Sequence, residues 1–100
     1  MKTMQKKIDE MYNGNTDAII AGVYSQNDYI LMNAILSGAK LNIKEKNFIV
    51  GVEKARNNEI VLLGFPIKSV AEAAYCFLTD RKYNGNDSIV KTLIDNKFNI

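Results

Sequence analysis

Three times along its 100 residues the chain places small residues, then a turn of Asn or charged residues, then an aliphatic run, in the same order. Ala21-Gly22-Val23 leads to Tyr29-Ile30-Leu31, Val50-Gly51-Val52 to Ile60-Val61-Leu62-Leu63, and Ala73-Ala74 to Ile89-Val90. A helical hairpin that cannot bury its apolar face alone must stack on a neighbour. The pattern therefore predicts an all-α chain of stacked antiparallel helical hairpins, a short α-solenoid of about three hairpins behind an N-terminal helix. Stacks of this kind present a surface to another macromolecule.

Helices are expected near 2–12, 17–26, 29–37, 43–57, 59–64, 70–82 and 88–97. Asn42 followed by Glu45, and Ser69 followed by Glu72, have the spacing of a cap side chain and a returning carboxylate. Thr16, Asp28 and Asp87 are further cap candidates, each bringing an oxygen or negative charge to the positive end of the helix dipole. Gly38 and Gly64 read as stops, and Tyr12 before Asn13-Gly14 as the end of the first helix. Pro66, the single proline, stands before the Ser69 cap, where its missing donor interrupts nothing. Ile60-Val61-Leu62-Leu63 is β-branched and apolar enough to suit a buried strand, but is assigned here to a helix. Gly22 and Gly51 fall inside helices, where glycine costs about 1 kcal/mol against alanine. Their presence implies close passage of neighbouring helices.

One hundred residues suit a single helical domain, 1–100, with a core large enough to fold without disulfides or metal. With 47% hydrophobic and 24% charged residues the composition is that of an ordinary soluble chain, and no apolar run has the length of a membrane span. Lys2, Lys6 and Lys7 are followed by acidic and polar residues where a signal peptide needs its apolar stretch, so the expected location is the cytoplasm.

The chemistry is bounded mostly by what the sequence lacks. There is no histidine, so the commonest general base, zinc ligand and triad partner are missing. Cys76, the only cysteine, lies in Ala73-Ala74-Tyr75-Cys76-Phe77-Leu78 and reads as a packed core thiol. Glycines occur singly, without a phosphate-cradling loop, and no two carboxylates are spaced locally for acid–base work. The expectation is a non-enzymatic protein with no catalytic residues, no cofactor and no metal.

The segment Asn47-Phe48-Ile49-Val50-Gly51-Val52-Glu53-Lys54-Ala55-Arg56-Asn57-Asn58-Glu59-Ile60-Val61 resembles the helix, turn and helix of an ankyrin repeat. Leu36-Ser37-Gly38-Ala39-Lys40-Leu41-Asn42 and the run from Ile89 to Phe98 look like the second helix and its exit. The family's Thr-Pro-Leu-His start is absent, and a HEAT-like stack of antiparallel helices fits as well. What the resemblance implies is an α-hairpin solenoid over roughly residues 16–100 that binds protein.

The candidate contact residues are Tyr24, Glu53, Arg56, Asp80, Arg81 and Tyr83, which combine aromatic anchors with mixed charge. The expected partner is another protein, with no membrane contact. In concrete form the chain would be a dedicated inhibitor, such as a bacterial immunity protein that neutralises a toxin domain. A net charge of +2 from dispersed residues is too small to imply nucleic acid by itself. The alternatives are a small helical DNA-binding regulator using residues 16–57, and a structural subunit that docks through helix 88–97. Oligomeric state is left open.

Overall fold

The computed structural model describes residues 4–62 and 64–81. The expected helix 88–97, the Asp87 cap and Tyr83 lie outside the described residues. Within them the chain forms five packed helices and one two-stranded hairpin, in the order α1 (Met4–Tyr12), α2 (Thr16–Val23), α3 (Asp28–Lys40), α4 (Lys46–Ala55), β1 (Val61–Leu62), β2 (Phe65–Pro66) and α5 (Ile67–Leu78). The fold is helical, as the small-residue and aliphatic pattern predicts.

Three helix ends share one device. Gly14, Asn42 and Asp80 take positive φ values of 91°, 56° and 58° just past α1, α3 and α5. Each lets its own amide and the next one reach back to carbonyls that the helix leaves unsatisfied. Ile43 N–H donates to the Gly38 carbonyl at 2.9 Å and Asn42 N–H to Ala39 at 3.0 Å; Arg81 N–H donates to Cys76 at 2.7 Å. Asn42 thus closes α3 and does not open α4, whose first flanking residue, Glu45, makes no side-chain cap bond. The caps that do form are supplied by asparagine one residue before the expected positions. Asn15 accepts from Ala18 N–H at 3.1 Å, and Asn27 from Tyr29 and Ile30 N–H at 2.9 and 3.1 Å.

The expected helix 59–64 is replaced by the hairpin, with Val61 opposite Pro66 and Leu62 opposite Phe65. Gly64, at φ +84°, sits in the turn and stops no helix. Ile67 N–H adds a bond to the Ile60 carbonyl at 3.0 Å, so the chain passes directly from hairpin to helix. Pro66 therefore becomes the flanking residue of α5, and Ser69 falls inside its first turn. Helix α5 accordingly begins before the expected residue 70 and ends at Leu78, not 82. Helices α2 and α4 are likewise shorter than expected, ending at Val23 and spanning Lys46–Ala55.

Helix α3 is the hub. It packs on α1, α2 and α5, and eight of its residues are buried, from Ile30 to Ala39. Its one buried polar side chain, Ser37, donates to the Ala34 carbonyl. Helix α3 runs on through Gly38, its expected end, and the Phe48 ring of α4 lies where a side chain at that position would stand. Gly22 and Gly51 serve the close passages anticipated from sequence. A Cβ on Gly22 would lie 2.9 Å from both Ala34 Cβ and Met11 Sδ, and one on Gly51 would strike the Val23 side chain. Phe48, Ile19, Ile35, Val52, Ile67 and Val70 are fully enclosed at the centre.

Candidate interaction surface

Helix α4 runs between α2 and α5, and its two flanks carry different chemistry. Helical periodicity sends Gly51 and Lys54 toward α2, Arg56 toward α5, and Glu53 to the exposed edge between them.

On the α5 flank, Arg56 follows the last residue of α4, where the carbonyl end of the helix favours a cation. Its guanidinium forms an ion pair with Glu72 and lies over the Tyr75 ring, 4.6 Å from the centroid. Arg81 approaches the same ring at 5.6 Å. Glu72 and Tyr75 are one turn apart on α5, so one helical face holds both the carboxylate and the ring. The Glu72 carboxylate makes the ion pair with Arg56 and, through Oε1, a 3.5 Å hydrogen bond from it. Glu72 is therefore the anchor of Arg56 and plays no part in a helix cap. Asp80 points elsewhere, pairing with Lys44 at 3.4 Å on the exposed surface.

On the α2 flank, the Tyr24 hydroxyl donates to the Asn47 carbonyl at 2.6 Å, tying the end of α2 to the start of α4. Lys54 Nζ lies 5.7 Å from the Tyr24 ring centroid. Beside this pair is an open groove of about 330 Å³, reached by Ser25, Asn57 and Asn58 and floored by Val23, Leu31 and Ala55.

The expected contact residues therefore divide. Arg56 and Arg81 meet on Tyr75, Tyr24 stands on the other flank, Glu53 is exposed between, and Asp80 faces Lys44. Sequence reasoning missed Glu72 as an anchor and Tyr75 as the shared ring, although their spacing on one helical face was a usable signal. It also missed Asn57. Among the described residues no group of three or more His, Cys, Asp or Glu side chains comes together, and no helix is long and apolar enough to cross a membrane.

Cys76 is buried behind this surface, as its apolar neighbours foretold. Burial raises its thiol pKa, with Glu72 adding to the effect and Arg56 and Arg81 opposing it. Partial desolvation also lifts the phenol of Tyr12, an otherwise exposed residue, with Tyr29 adding. A group whose pKa is raised by folding contributes stability that is intact below its unfolded-state value and lost as pH rises through the folded one. The urea midpoint is expected to fall as pH rises through the thiol range and then the phenol range, with Cys76→Ala removing the first part of the decline. A midpoint independent of alkaline pH would contradict the burial of the Cys76 thiol and the partial cover of the otherwise exposed Tyr12 phenol.

Compared with family models, curated proteins and solved structures, the chain matches none. The fold defines a class, packed helices compatible with helical hairpins, and no family within it.

Proposed function

We propose that the chain is a non-enzymatic binder of one protein, acting as a dedicated inhibitor in the manner of an immunity protein that neutralises a toxin. The observation that carries this reading is the Arg56–Tyr75–Arg81 stack. Two guanidiniums held on one aromatic ring give a surface already ordered before a partner arrives, so little side-chain freedom remains to be lost on binding. Arginine and tyrosine are also the side chains that most often dominate interface energetics.

Arg81 is the cleaner probe of this surface. Arg56 is committed to Glu72, and its removal is expected to cost about 1 kcal/mol of stability through the lost ion pair and ring contact. Arg81→Glu is expected to leave the thermal midpoint nearly unchanged and weaken partner binding by roughly tenfold. The measurement is affinity capture of the tagged protein from lysate of its native host at moderate salt, followed by titration of the recovered partner against wild type and variant. A single stoichiometric protein, held less tightly by the variant, supports the inhibitor reading. Recovery of nucleic acid with steep salt dependence would replace it with the DNA-binding regulator.

A further inference from the structure

The groove between Tyr24 and Lys54 has features the stacked arginines lack: a shallow open depression, an apolar floor and, among its described lining residues, one charged side chain, Lys54. Its volume, about 330 Å³, is at the small end of the range for ligand sites, the size of a side chain or a small molecule and not of a helix. Val23, Leu31 and Ala55 are buried and form the floor. The walls are held in place, Tyr24 by its hydroxyl bond to the Asn47 carbonyl, and Asn58 by its amide bond to Asp28 at 3.3 Å and its carbonyl oxygen accepting from Ile60 N–H at 2.9 Å. Among the described residues that line the groove there is no carboxylate. Asp28 keeps its charge behind the wall, accepting from the Asn58 amide, and neither it nor Glu53 is among the lining residues. The charge at the mouth is the Lys54 ammonium over the Tyr24 ring, with the exposed Asn57 carboxamide also lining the groove.

We infer that this groove binds an apolar side chain accompanied by a carboxylate, presented by a segment of the partner protein, with the apolar group on Val23, Leu31 and Ala55 and the carboxylate at Lys54 and Asn57. The identification of the occupant as a protein segment rests on the binding function proposed above. The chemistry of the site rests on the groove alone. Charge complementarity favours an acid: a cation would be repelled by Lys54, and a neutral apolar group would gain nothing from the ammonium.

The test uses N-acetyl-leucine and N-acetyl-leucine amide, which share the apolar group and differ in the carboxylate. Each is titrated into the isotopically labelled full chain and followed by amide chemical shifts. The expected result is saturable shifts at Ser25, Gly51, Lys54, Ala55 and Asn57 with the acid, about fivefold weaker binding of the amide, and loss of that difference in Lys54→Gln. Lys54 is exposed, so the variant should keep the wild-type thermal midpoint. Equal binding of acid and amide would overturn the carboxylate assignment, and shifts scattered over the surface would overturn the site. Shifts at the groove that follow protein concentration without added probe would assign it to a second copy of the chain, and would also overturn the inference. Failure here with retention of an Arg81-dependent partner removes the groove and leaves the inhibitor reading standing. The reverse outcome removes the inhibitor reading and leaves the groove.

Discussion

Replacing Phe48 by alanine is expected to lower the unfolding free energy by about 3–5 kcal/mol. The ring is fully buried at the start of α4 and seated against Gly38 of α3, so its loss empties the contact between those two helices. A cavity there has little chance to collapse, because α4 is also fixed to α2 through Gly51 and Tyr24 and to α5 through Arg56. Domains of this size have roughly 5–15 kcal/mol in total. The thermal midpoint, followed by far-ultraviolet circular dichroism, should therefore drop by more than roughly 10 °C. A drop of less than about 3 °C would mean that the ring is not packed between α3 and α4.

The second large effect concerns the other side of the same contact and runs against helix propensity. At an open helical position, glycine to alanine stabilises by about 1 kcal/mol. At Gly38 the added methyl would coincide with the outer carbons of the Phe48 ring, whose other side is enclosed. Gly38→Ala is expected to destabilise by about 1–3 kcal/mol, the usual cost of overpacking. Urea denaturation of the single variants and of Gly38→Ala combined with Phe48→Leu checks the cause. The smaller leucine makes room, so the double variant should be more stable than the two single losses added together imply, with a coupling of about 0.5–3 kcal/mol. Stabilisation by Gly38→Ala alone would refute the close approach.

These two residues show where sequence reasoning reaches its limit. Gly38 has the local marks of a helix stop, a glycine after an aliphatic run. Whether it ends the helix or admits a neighbour depends on what lies ten residues further along, and the answer is Phe48. Asn42 and Glu45 have the spacing of a capping box, yet asparagine serves equally well in the left-handed position that closes a helix, and α3 claims it first. Glu72 has the spacing for a cap with Ser69, but the hairpin brings α5 into register early and leaves Glu72 facing Arg56. Ile60-Val61-Leu62 met the strand criterion and the helix criterion alike. The left-handed Gly64 and the apolar hold on Ile67 decide for the hairpin. Of the candidate surface, Arg56 and Arg81 could be named from the sequence, whereas the Tyr75 ring that both approach lay hidden in an apolar stretch.

The sequence by itself determined the helical class, the close passages at Gly22 and Gly51, the core position of Cys76 and the end of α1 at Tyr12. Each of these depends on local backbone preference or on apolar periodicity, which act over a few residues. Only the tertiary structure decided which polar residue caps or closes each helix, that residues 61–62 and 65–66 pair as strands, and that the two arginines meet on Tyr75 while Tyr24 and Lys54 frame a separate groove. Those outcomes are competitions between local alternatives of nearly equal free energy, and contacts between residues distant in the chain, such as Phe48 on Gly38, are large enough to settle them.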